Sequence, residues 1–76
     1  MTIDIKSLKP TDVGRHVRYD SWNKIEFGRI TSWNEHFIFV RYHMVVEGKA
    51  PNQRSHARTG DTSEATQPID LEWADL

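Results

Sequence analysis

The sequence predicts a small all-β domain, a strongly bent barrel of about four to six short strands. Three observations point there. Three β-type runs follow one another closely: Val13-Gly14-Arg15-His16-Val17-Arg18-Tyr19, then Glu26-Phe27-Gly28-Arg29-Ile30, then Phe37-Ile38-Phe39-Val40-Arg41-Tyr42. Gly14 and Gly28 sit near the starts of the first two, where a bent strand needs a residue without a side chain. The chain has only 76 residues, so it makes one domain with a small core.

The elements are read in order. Ile3 and Ile5 alternate with polar neighbours and suggest a short strand. Pro10-Thr11-Asp12-Val13-Gly14 is turn chemistry, with Leu8 and Val13 expected to pack beneath the barrel. Residues 15–20 form the first strand, with Val17 and Tyr19 on one side and Arg18 on the other. Asp20 to Lys24 is a polar loop carrying Trp22. Residues 25–33 form the second strand, bent at Gly28. Asn34-Glu35-His36 is a tight connection. Residues 37–46 form the third strand, rich in aromatic and β-branched types.

Residues 48–64 hold Gly, Pro, Asn, Gln, Arg, Ser and Thr with only small apolar residues, and read as a long mobile loop. Ala65-Thr66-Gln67 suggests one more short strand. Pro68 to Trp73 suggests a short C-terminal helical turn, with proline suited to its first position and Leu71 and Trp73 capping the barrel.

Composition narrows the function. There is no cysteine, which rules out a disulfide framework or a thiolate metal site and fits a reducing compartment. The N-terminus shows no basic segment leading into an apolar run, and no stretch is long enough to span a membrane. The expectation is a cytoplasmic protein. Net charge is −1, which argues against a strong generic nucleic-acid binder. The distribution is uneven. Residues 47–60 carry Lys49, Arg54 and Arg58 against Glu47, while residues 61–76 carry Asp61, Glu64, Asp70, Glu72 and Asp75 with no base.

No nucleophile elbow, phosphate-binding glycine loop or zinc-protease motif occurs, so the chain is not read as an enzyme. His16, His36, His43 and His56 are scattered over separate elements and suggest no metal site. No cofactor is implied.

The residues Val13-Gly14-x-x-Val17-x-Tyr19, Gly28-x-Ile30 and Ile38-x-Val40-x-Tyr42 resemble the SH3-like barrels of the KOW and Tudor kind. The closing Ala65-Thr66, Pro68 and Asp70-Leu71-Glu72-Trp73 look like the tail of small bacteriophage and prophage proteins of that fold. The resemblance covers residues 13–43 well and 65–73 loosely. It implies a non-catalytic binding module, a phage-type accessory protein docking on a host or phage protein. For a Tudor-type aromatic cage, Tyr19, Trp22, Phe27 and Tyr42 are of the right type.

The residues also suggest where a partner would bind. If Trp33 pairs with Phe37 across a three-residue loop, the core face is Gly28, Ile30, Ile38, Val40 and Tyr42. The opposite face then shows Phe27, Arg29, Thr31, Trp33, Phe37, Phe39 and Arg41. Aromatics and arginines are the residues of interaction hot spots. Phe27 and Phe39 are read as covered, for instance by the N-terminal segment or the Trp73 tail, and Trp33 as exposed at the hairpin tip. Trp22, in its polar loop, either joins this protein-binding set or folds back as a lid on the barrel. The alternative is nucleic acid, held by Arg18, Arg29, Arg41 and a basic loop bearing Lys49, Arg54, His56 and Arg58. A third possibility is a homodimer built on the aromatic face.

Overall fold

The computed structural model describes residues 3–21, 24–48, 51–58 and 62–74. Alternating apolar and polar residues produce six antiparallel strands: β1 (His16–Ser21), β2 (Lys24–Trp33), β3 (Ile38–Glu47), β4 (Arg54–Ala57), β5 (Glu64–Thr66) and β6 (Leu71–Trp73). They join in the order β4-β3-β2-β1-β6, with β5 also on β3. The all-β expectation holds. The sheet is open, however, and does not close into a barrel.

β4 and β5 share one edge of β3, with β4 opposite Met44 to Glu47 and β5 opposite Ile38 to Val40. β6 returns to pair with Val17 to Tyr19 of β1. One face of this sheet carries the core. Val17, Ile30, Ile38, Val40 and Leu71 are fully buried, and Ile3 and Tyr42 join them. Burying each such aliphatic side chain contributes about 1.5–3 kcal/mol. Tyr19, Trp33, Trp73, Ile5 and Leu8 pack against the cluster from its rim. The expected core face of Gly28, Ile30, Ile38, Val40 and Tyr42 is buried as read.

Several elements differ from the sequence reading. Ile3 and Ile5 do not form a strand. A 3-10 turn covers Ile5–Ser7, capped by the Asp4 carboxylate accepting from the Lys6 amide, because that side chain competes with extended pairing. Leu8 packs on the core, but Val13 is 51 % exposed, beside Gly14 at φ +90°. The stretch expected as loop from 48 to 64 contains β4, whose four side chains are all exposed. Its backbone pairing with β3 orders it without apolar burial. The helical turn spans only Pro68–Asp70, and Leu71 to Trp73 is strand. Pairing with β1 buries Leu71 completely there.

The β2–β3 hairpin shows the main correction. Trp33 pairs with Ile38, not with Phe37, and the connection is the four-residue turn from Asn34 to Phe37. The Asn34 carboxamide oxygen accepts from the His36 and Phe37 amides at 2.8 Å each, and the Asn34 amide donates to the Phe37 carbonyl. This side-chain turn fixes the longer loop. A bulge between Ile30 and Ser32 absorbs the extra residue, so Ile30 still faces Val40 and Gly28 still faces Tyr42. Beyond the bulge the side-chain parity is reversed. Trp33 therefore lies on the core face, half-buried against it. A second irregularity between Phe27 and Gly28 leaves His43 as the extra residue on β3, between Tyr42 and Met44.

Candidate functional site: the outer face of the central strands

The N-terminal segment and β6 direct Ile3, Ile5, Leu8, Leu71 and Trp73 to the core side. Among the described residues, these side chains pack on the core face and not on the other face of β1–β2–β3. Of the seven residues expected there, Phe27, Arg29, Phe39 and Arg41 occupy it. Phe27 and Phe39 are half-buried, while Arg29 and Arg41 are exposed. Trp33 has moved to the core by the bulge. Phe37 sits at the turn instead, beside His36, Gln67, Pro68 and Ile69, where it lines a cleft of about 540 Å³. Trp22 lies outside the described residues.

Register explains what stands next to what. Arg29 is directly opposite Arg41 on β3 and opposite His16 on β1. Phe27 is opposite Arg18 on one side and Met44 on the other. Side chains directly opposite share a face and lie within reach of each other. The His43 bulge brings that imidazole onto the same surface. Its ring meets His16 edge to face across β2, with centroids 5.8 Å apart. Arg29, Arg41 and His43 line one cleft of about 340 Å³. Desolvation, then His16 and Arg29, hold the His43 imidazolium below its usual pKa.

Two arginines of the nucleic-acid reading, Arg18 and Arg58, form ion pairs within the fold. Arg18 donates to Glu72 Oε2 at 2.7 Å and lies 3.9 Å from Asp20. Arg58 donates to Glu26 at 2.6 Å and to Glu64 at 2.5 Å, with its guanidinium 5.7 Å from the Tyr42 ring. Those contacts raise the Arg58 pKa, with the Glu64 hydrogen bond the largest cause. Arg54 is exposed on β4, in a cleft with Lys24, Glu47, Gly48 and Asn52. His56 is exposed on the same strand. Lys49 lies outside the described residues.

Of the aromatics named for a cage, the three among the described residues do not all converge. Tyr19 and Tyr42 meet edge to face at 6.1 Å on the core side, while Phe27 points to the outer side. A cavity of about 550 Å³ opens beside the two tyrosines, lined also by Lys24, Glu26, Glu64 and Asp70. At its edge the Arg58 guanidinium pairs with both Glu26 and Glu64, one cation facing two carboxylates.

Sequence reasoning missed the ring contact between His16 and His43 on the outer face. Their spacing was judged for metal, and among the described residues no group of three or more ligating side chains gathers. The signal for the contact was their place on strands flanking β2, but the His43 bulge that aligns them has no sequence mark. Among the described residues no helix is long and apolar enough to cross a membrane. No protein-family model, curated protein or solved structure matches the chain.

Proposed function

We propose that the protein is a non-catalytic docking module that binds a protein partner through the outer face of β1, β2 and β3. The single observation carrying this reading is the juxtaposition of Phe27, Phe39, Arg29 and Arg41 on the face of the sheet opposite the core. Aromatic and arginine side chains together supply apolar area and charge-assisted hydrogen bonds. The proposal keeps the SH3-like kinship and the phage-type accessory role. The kinship draws on the element order from β1 onward, a three-strand meander, two short strands on the far edge of β3, the 3-10 turn Pro68–Asp70 and a last strand returning to β1; the phage-type role rests on the sequence resemblance alone.

The nucleic-acid reading retains Arg29 and Arg41, placed opposite each other. It is less well supported, because Arg18 and Arg58 are committed to carboxylates. Phosphate-driven binding also usually draws on more cationic contacts than this face offers. A homodimer on the same face is the third reading.

The test is capture from a lysate of cells that carry the protein, with and without nuclease, using wild type and Arg41→Glu. A protein set that survives nuclease and is lost with Arg41→Glu supports docking through this face. Capture that vanishes with nuclease transfers the reading to nucleic acid. Capture unchanged by Arg41→Glu overturns the face. A solution mass that doubles with concentration, in wild type only, assigns the face to self-association.

A further inference from the structure

We propose that the Pro68–Asp70 turn carries a second docking groove, and that its occupant is a partner polypeptide segment in which a basic side chain stands next to an aliphatic one. The cavity beside Tyr19 and Tyr42, which forms half of this groove, opens on the core side of the sheet. The inference therefore goes beyond the outer-face reading and does not depend on it.

Two clefts meet at the turn. One is the cavity of about 550 Å³ beside the two tyrosines, with Asp70 in its wall. The other, of about 540 Å³, carries the apolar side chains of Phe37, Pro68 and Ile69. Phe37 and Gln67 line both, so the clefts adjoin. Ile69 is 71 % exposed and Phe37 is 37 % exposed. Apolar side chains scattered singly over a surface need no explanation, whereas two gathered in one cleft mark a place where a partner gains by burial.

Charge selects the occupant. The polar cavity sets Glu26, Glu64 and Asp70 against Lys24. Arg58 joins from the edge through its ion pairs with Glu26 and Glu64. Two cations thus stand against three carboxylates among the described residues. Asp70 is the carboxylate left over. It is exposed, and among the described residues it takes part in no ion pair or side-chain hydrogen bond. Residues 61–76 contain no Lys or Arg, so no cation for Asp70 comes from its own segment. The excess reaches the cavity wall. Burial is the largest cause of the raised Tyr42 phenol, and beyond the opposing Thr66 hydrogen bond the charges of Glu26 and Glu64 raise it further.

Spacing sets the form of the segment. Ile69 and Asp70 are adjacent in sequence, one lining the apolar cleft and the other the polar cavity. A segment that alternates aliphatic and basic side chains presents the same two chemistries at neighbouring positions. Its cation gains a charge-assisted hydrogen bond at Asp70, and its aliphatic side chain leaves water between Phe37 and Ile69. A polyanion meets the same excess of negative charge and is disfavoured.

The test uses the full chain, labelled for amide NMR and titrated with three blocked tetrapeptides of alternating leucine–arginine, leucine–glutamine and leucine–glutamate sequence. The leucine–arginine peptide is expected to shift the amides of Phe37, Gln67, Ile69 and Asp70. It is expected to bind about fivefold more tightly than the leucine–glutamine peptide, the upper range for one exposed ion pair. Asp70→Asn is expected to remove that advantage with an unchanged melting temperature, and Ile69→Ser to weaken both peptides. Unmoved amides overturn the inference, as does equal binding of the arginine and glutamine peptides. Leucine–glutamate binding as tightly as leucine–arginine also overturns it. Shifts at these amides with protein concentration alone, together with a doubled solution mass, give the groove to a second copy and overturn the basic partner. Loss of lysate capture in Arg41→Glu reads the outer face alone, so either surface can fail while the other stands.

Discussion

The Arg58 guanidinium donates to Glu26 Oε1 at 2.6 Å, joining two residues 32 positions apart. Glu26 is a buried carboxylate on the core side of β2, and Arg58 follows β4 directly. The same guanidinium reaches Glu64 at the start of β5. One side chain thus ties the two short strands on the outer edge of β3 to the sheet's interior.

Removing that cation leaves a buried carboxylate without its partner. Arg58→Ala is expected to destabilise the fold by about 1–3 kcal/mol, less than for a fully buried pair because Arg58 is partly exposed. Arg58→Met with Glu26→Gln is expected to recover most of the loss, since no buried charge then remains. Urea denaturation of the three chains checks this. Equal midpoints for wild type and Arg58→Ala would show that the pair contributes nothing.

Trp33→Ala separates a binding role from a packing role. As a hairpin-tip contact, Trp33 would weaken partner capture and leave stability alone. Packed on the core opposite the fully buried Ile38, it is expected to cost about 2–3 kcal/mol, below the loss for a fully buried tryptophan. Partner capture by the folded fraction is expected to persist. A variant that melts like wild type but loses capture would return Trp33 to the interface.

This residue marks where the sequence was legible and where it was not. Alternation alone placed Val17, Ile30, Ile38, Val40 and Tyr42 in the core, because period two is a direct property of the strand. The same alternation carried past Thr31 put Trp33 on the wrong face. A bulge adds one residue without altering composition, and each extra residue inverts every side chain beyond it. The second bulge, at His43, hid the histidine contact for the same reason. β4 was illegible because its strand rests on backbone pairing with β3, with no buried side chain to signal it. Arg18 and Arg58 read as free cations because their carboxylate partners lie 54 and 32 residues away in sequence.

Gly28 is required by proximity. A Cβ there would lie 2.6 Å from the Arg41 carbonyl oxygen, 2.7 Å from Val40 Cγ1 and 2.9 Å from Tyr42 Cα. Two of the three neighbours are backbone and have no rotamer by which to move. Gly28→Val is expected to destabilise by about 3 kcal/mol or more, the upper range for overpacking, and Gly28→Ala by somewhat less. Thermal melting checks this, and an unchanged melting temperature for Gly28→Val would mean that β2 and β3 are not this close.

Tyr42 gives the fold a loss of stability at high pH. Burial pushes its phenol up to about 12, against the lowering effect of the hydrogen bond with Thr66, whose oxygen lies 2.7 Å away. In the unfolded chain a tyrosine ionises near pH 10. Between those values the unfolded state loses its proton and the folded state keeps it. The stabilisation is therefore full below about pH 10 and is lost as pH rises through about 12. A phenolate absorbance titration should show one tyrosine ionising late, together with unfolding. Tyr42→Phe is expected to remove that late step. It also leaves the Thr66 hydroxyl only the Glu64 carbonyl at 3.4 Å, so it is expected to cost about 1 kcal/mol at neutral pH. A wild-type titration in which both described tyrosines ionise together near pH 10, with the fold intact, would show that Tyr42 is reached by solvent and is not the buried phenol described above.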